Sequence, residues 1–415
     1  MHYIKPQHRA NLDLYKYSGV DKSLLSRYVL TPYWNGLVQL FPLWIAPNVI
    51  TLLGLFCIAV NLATLLYFTP DLSEPCPSWV YYTFALGLWI YASFDAIDGK
   101  QARRTGTSGP LGELFDHCCD ALNTTLGVFM VGSALGLPQS WLLALSHLFA
   151  LVNFYLTTWE EYHTGTLYLS YFSGPVEGLI ILCIVYITTG FKGVGFWNRS
   201  LHGFLKISDS FERTFPQLSL QDAFMYFGAV VLVMNIIVSS WNVVRACKSQ
   251  KKPLIPALLG LFPFAFMSAL EFVWLAASPQ ILTRHLIVFL LYIGISFGYQ
   301  VGLIITAHVT KAPFPYWNVS FYPLLFGVAN ALLRKVGISI IDNYYEIIYV
   351  HLCLAFSALL YGHFVVNVIR DICDYFDINC FTIKRKMNVS TKVGDGTVPV
   401  SATPDIPNES NKKRD

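Results

Sequence analysis

The chain has 415 residues, 54% of them hydrophobic and only 13% charged, where a soluble domain carries about 25% charge. The net charge of +3 is small and there is no long basic arm, which excludes a nucleic-acid-binding protein built on a basic surface. The apolar surplus predicts an all-α polytopic membrane protein.

Residues 1–47 form an N-terminal interfacial segment, of which 1–36 are polar and aromatic, with no apolar core ahead of a small-residue cleavage site. Within them, 20–45 mixes aromatics, Leu and Pro and predicts an amphipathic helix lying at the membrane interface. Apolar runs of about 20 residues follow near 48–69, 79–97, 120–138, 140–158, 174–190, 219–241, 254–277, 283–306, 319–333 and 345–369. About ten spanning helices are expected, the fifth and ninth being short or interrupted. Lys100, Arg103 and Arg104 follow the second run, Arg245, Lys248, Lys251 and Lys252 the sixth, and Lys384, Arg385 and Lys386 the tenth. Positive loops are cytosolic, so these loops and both termini are placed on the cytosolic side. Arg334 and Lys335 fall on the other side, against that rule. The long basic stretch 191–218 holds Asn198-Arg199-Ser200, a glycosylation acceptor that would suit the lumen. After Lys386 the composition turns to Ser, Thr, Pro, Asp, Asn and Lys, which predicts a disordered cytosolic tail over 387–415. Lys412 and Lys413 in its final "KKRD" resemble a dilysine retrieval signal of the endoplasmic reticulum. Nine cysteines show neither a disulfide framework nor a zinc spacing.

The stretch "FDAIDGKQARRTGTSGPLGELFDHCCDAL" places four aspartates against the most apolar part of the chain. Asp95 and Asp98 are three apart and share a helix face, about 60° from each other. Asp116 and Asp120 are four apart, about 40° on their own helix. A Gly/Ser/Pro turn lies between, so the two helices run antiparallel and their acidic faces meet. Four converging carboxylates repel unless a cation sits among them, and hard divalent ions suit all-oxygen sites that also take phosphates. The competing reading is a solvated acidic turn bridged to Lys100, Arg103 and Arg104. Gly99 and Ala102 leave room for a flat group, Arg103 offers a fork for phosphate, and Gly112 permits close helix packing.

Asp95-x-x-Asp98-Gly99-x-x-Ala102-Arg103, then Gly112-x-x-x-Asp116-x-x-x-Asp120, resembles the signature of the CDP-alcohol phosphotransferase family, with eight fixed residues in 26 positions. The flanks "DAIDGKQARRT" and "PLGELFDH", and "SGPVEG" at 173–178, look like its eukaryotic choline/ethanolamine branch. The resemblance spans roughly 12–386. It divides the chain into catalytic helices over 48–190 and further helices over 191–386 on the side of the acceptor lipid.

The resemblance implies transfer of phosphocholine or phosphoethanolamine from CDP-choline or CDP-ethanolamine to diacylglycerol, with release of CMP. It implies two Mg²⁺ ions, with Mn²⁺ as an alternative. Asp95, Asp98 and Asp116 would hold one, and Asp95, Asp116 and Asp120 the other. Asn48, Gly99, Ala102, Arg103, Gly106 and Gly112 would line the nucleotide. It implies a homodimer of the endoplasmic reticulum, or Golgi, membrane. The acceptor hydroxyl needs a base of near-neutral pKa, for which His117 is suited and Asp120 is the rival. Glu177, matching the eukaryotic branch, is expected to orient His117. Glu113 could support the metal or bind Lys100, and Trp159 or Tyr162 could hold a choline cation. Two rivals remain: another acceptor alcohol, and an ion-coupled transporter.

Overall fold

The computed structural model describes residues 3–384 apart from 22, 24, 170–174, 206–217 and 339. Its long helices, numbered here in chain order, are α1 Pro47–Phe68, α2 Ser78–Thr105, α3 Pro110–Leu135, α4 Trp141–Thr164 and α5 Pro175–Lys192. They continue with α6 Leu220–Ser249, α7 Phe262–Ala277, α8 Leu286–Val309, α9 Phe321–Lys335 and α10 Asn343–Phe376. Each stands at an expected apolar run. In lipid every backbone polar group must pair within its own segment, so apolar runs of this length fold as helices.

Among the described residues, eight helical segments are long and apolar enough to cross a membrane, the short helix Leu254–Leu259 counting with α7 as one. The chain is a multi-pass membrane protein. The two expected spans outside that set are 174–190 and 319–333. Their helices α5 and α9 have 18 and 15 residues. At 1.5 Å per residue α9 rises only about 22 Å, less than the ~30 Å hydrocarbon core. The tail from 387 and the Leu169–Gly174 connection lie wholly or largely outside the described residues.

Two helices depart from their expected bounds in a way that matters for the site. α2 continues past 97 to Thr105, and α3 begins at Pro110, ten residues before its apolar run. Those added turns hold Asp98, Glu113 and Asp116, and their charge is why hydropathy alone ended the runs short of them.

α1 packs on α2 and α3, α3 on α8, α8 on α10, α4 on α6 and α8, and α7 on α9. Small residues set the close approaches: Thr125 fills the space at Gly294, Phe364 that at Gly302, and Trp274 that at Gly327. α6 and α10 turn Phe227, Ile237, Trp241, Leu352 and Leu359 outward, as lipid-facing helices do. The segment Ser26–Leu40 is helical, as 20–45 predicted, in π, α and 3-10 turns. It exposes Tyr28, Val29 and Leu40. Gln101 and Arg104 of α2 hold its end by donating to the carbonyls of Pro42, Ile45, Val38 and Phe41.

At Gly327 a Cβ would stand 2.1 Å from the buried indole of Trp274. Gly327→Ala should therefore cost about 1–3 kcal/mol and lower the melting temperature of the detergent-purified protein. Gly228→Ala, where nothing lies within 4 Å, is the control. Equal melting of the two variants would refute the close α7–α9 contact.

Candidate active site

The turn between α2 and α3 is built from its sequence. Gly106 takes the left-handed conformation at φ 66°, and its N–H returns to the Ala102 and Arg103 carbonyls. Thr107 N–H bonds the Ala102 carbonyl at 2.9 Å, completing the cap. Pro110 then opens α3 at a position whose N–H has no helical partner to lose.

This turn brings the carboxylates together. Asp95, Asp98 and Asp116 each present an oxygen, and the three lie within 4.8 Å of one another. Asp116 Oδ1 is buried with no hydrogen-bond partner. Asp98 accepts from Thr51 of α1 and Asp120 accepts from Tyr91 of α2, which orients both. Asp120 stands outside the three-carboxylate set.

The expected cations do not serve the acids. Lys100 donates to Asn35, and Arg104 to backbone carbonyls and Gln101. Among the described residues no ion pair joins Lys100, Arg103 or Arg104 to an aspartate. The salt-bridged turn is thus not what forms. Converging oxygens, a buried oxygen without a hydrogen bond and, among the described residues, no ion pair fit a hard divalent cation.

His117, one residue after Asp116, is buried and turned away from the aspartates. Its Nδ1 lies 3.0 Å from the Glu113 carbonyl and its Nε2 2.9 Å from Glu161 Oε2. A carbonyl only accepts, so Nδ1 carries a proton, and Nε2 and Glu161 share the next one. Glu177 does not meet His117 here: it accepts from Ser23. The orienting place expected for Glu177 is taken by Glu161. Ser23 comes from the N-terminal segment and Glu177 from the first turn of α5, so their approach is tertiary and no spacing foretold it.

A second acidic group adjoins the first. Glu113, Glu161 and His308 offer ligand atoms within 4.8 Å of one another. Tyr15 donates to Glu113 Oε2, while Glu113 Oε1 is buried without a hydrogen bond, His308 Nε2 standing 3.6 Å away. Burial and the Glu113 charge push the Tyr15 phenol far above its ordinary range, so it remains a donor.

The other expected residues divide. Around Gly99 only Arg103 Nη1 lies near a built Cβ, at 3.7 Å, so this face of α2 is open as expected. Gly112 also faces open space, with nothing within 4 Å of a built Cβ, and is not the close helix contact expected. Ala102 serves through its carbonyl in the cap at Gly106. Asn48 donates to the Cys380 carbonyl at 3.1 Å, a tie to the segment after α10. Trp159 is fully buried and donates to Ala257, so it is not open as a cation platform, while the half-buried Tyr162 donates to the Ala312 carbonyl. Sequence reading passed over Thr51, Tyr91, Tyr15, Glu161 and His308. Tyr91 carried a local signal, lying one turn before Asp95; Thr51, Glu161 and His308 are brought in from other helices and Tyr15 from the N-terminal segment.

Residues 44–206, which contain the acids, match the family model of CDP-alcohol phosphatidyltransferases. A Schizosaccharomyces pombe protein described as an uncharacterized class-I member of that family is 41% identical over 91% of this chain and 96% of its own length. Cholinephosphotransferase 1 of Saccharomyces cerevisiae is 38% identical over 93% of this chain and 99% of its own. Ethanolaminephosphotransferase 1 of Homo sapiens is 31% identical over 92% and 95%. Similarity that runs nearly end to end, with every fixed acid in place, makes this chain a member of the CDP-alcohol phosphatidyltransferase family.

Proposed function

We propose that the protein transfers phosphocholine or phosphoethanolamine from CDP-choline or CDP-ethanolamine to diacylglycerol and releases CMP. The observation that carries this reading is the group Asp95, Asp98 and Asp116, gathered with no ion pair to it among the described residues and next in the chain to a buried His–Glu pair. The names of the relatives supply the choice of headgroup class. Asp95, Asp98, Asp116 and Asp120 would hold Mg²⁺ or Mn²⁺, which when bound neutralises a pyrophosphate and stabilises its departing phosphate.

The chain's own groups do the rest. Thr51 and Tyr91 fix Asp98 and Asp120, so the carboxylates do not reorganise when the donor arrives. Arg103, exposed next to the open face at Gly99, is placed to meet phosphate oxygens. The diacylglycerol oxygen bonds the β-phosphorus, the bond from that phosphorus to the bridging oxygen breaks, and CMP leaves. The hydroxyl proton is taken by His117 Nε2, which first gives the proton it shares to Glu161, while the imidazole is held by its Nδ1–H bond to the Glu113 carbonyl. Asn48, at the start of α1, would contact the nucleotide once released from Cys380.

The basic loops support a cytosolic site, and the family resemblance supports residence in the endoplasmic reticulum membrane. A homodimer rests on the family resemblance alone.

Two predictions test this. Asp95→Ala or Asp116→Ala should abolish CMP release from CDP-choline and diacylglycerol, and EDTA should do so reversibly; near-normal turnover in either variant contradicts the metal assignment. His117→Ala should lose roughly 10²–10⁴ in rate with CDP-choline affinity kept. Glu161→Gln should lose more than Glu177→Gln, because Glu161 touches the ring. If His117→Ala keeps most of its rate while Asp120→Asn is inactive yet binds metal, Asp120 is the base instead.

A further inference from the structure

We propose that Glu113, with Glu161 and Tyr15, forms the site for the positively charged headgroup of the donor. This rests on the donor reading above and assigns the binding of its ammonium end.

Glu113 is buried in a carboxylate-rich place, with Glu161 in its own cluster and Asp116 three residues along α3. One of its oxygens is satisfied by Tyr15, whereas the other is buried without a hydrogen bond. An ionised carboxylate oxygen left so is costly, and an imidazole at 3.6 Å is too far to hydrogen-bond it. A cationic ligand would satisfy it.

Position favours the headgroup. Glu113 precedes Asp116 by three residues, a rise of about 4.5 Å along the helix. Asp116 is where the diphosphate would be held. In the donor, one oxygen and two carbons separate the β-phosphorus from the nitrogen, which is comparable to that rise. The ammonium of a donor lying along α3 therefore reaches Glu113. The N-terminal segment closes the place from outside. Tyr15 reaches in from it, Asn11 ties it to the Thr310 carbonyl at 2.8 Å, and the pairing of Gly19–Asp21 with Leu167–Leu169 anchors the chain beyond.

A divalent metal fits less well. Tyr15 and His117 already take one oxygen of each glutamate, leaving two oxygens and an imidazole nitrogen, whereas the aspartates offer an all-oxygen set next to them.

The test is binding of CDP-ethanolamine and of CDP, which lacks the headgroup, to the full-length protein in detergent with Mg²⁺. Glu113→Gln should weaken CDP-ethanolamine roughly 10- to 100-fold and leave CDP within about twofold. Equal weakening of both ligands would place Glu113 at the diphosphate or its metal and overturn the proposal, as would no change in either. Should Glu113→Gln fail to bind CDP at all, Tyr15→Phe decides. A loss confined to CDP-ethanolamine supports the site, and any other result overturns it. The donor reading is judged apart from this, by whether the wild-type protein transfers phosphoethanolamine to diacylglycerol.

Discussion

Mutual repulsion among carboxylates at the ends of two helices is the constraint on which the rest of this structure depends. Asp95 and Asp98 on α2 and Asp116 on α3 each hold an oxygen within 4.8 Å of the others and, among the described residues, no lysine or arginine forms an ion pair with them. Such a group is tolerated only if the scaffold is stiff and a cation completes it. The scaffold meets the first condition. α2 ends at a left-handed glycine and α3 starts on a proline, so the turn between them has little freedom. α1 braces both helices and sends Thr51 to Asp98. Lys100 and Arg104, two of the basic residues that could have quenched the acids, are occupied in anchoring the interfacial segment.

The same economy places the proton acceptor beside the phosphate site without making it a metal ligand. His117 follows Asp116 directly, and a helix turns successive residues by about 100°. Its ring therefore faces Glu161 of α4 while Asp116 faces the acids of α2. One helix thus carries three kinds of group within its first turns: aspartates for a metal, a histidine for a proton and, between them on the same side, Glu113 for a cation.

Most of the architecture was legible in the sequence because lipid imposes one rule, long apolar helices, and the chain obeys it. The acid cluster was legible because spacings of three and four within two neighbouring helices bring side chains onto one face whatever the rest of the fold does. What failed was tertiary. Glu161 and Glu177 are both plausible partners of His117 by residue type, and only the packing of α4 on α3 separates them. Trp159 looked like an interfacial aromatic yet lies fully buried, because Gly260 lets the chain approach it closely. The reach of α3 back to Pro110 escaped hydropathy because its first turns are polar for function.

The most direct measurement is Mn²⁺ binding followed by electron paramagnetic resonance on the purified protein with CDP-choline. The account predicts a pair of bound ions per chain in the wild type and loss of both in Asp116→Asn, since that residue belongs to both ligand sets. Retention of full Mn²⁺ binding by Asp116→Asn, or its absence from a wild-type protein that is turning over, would contradict it.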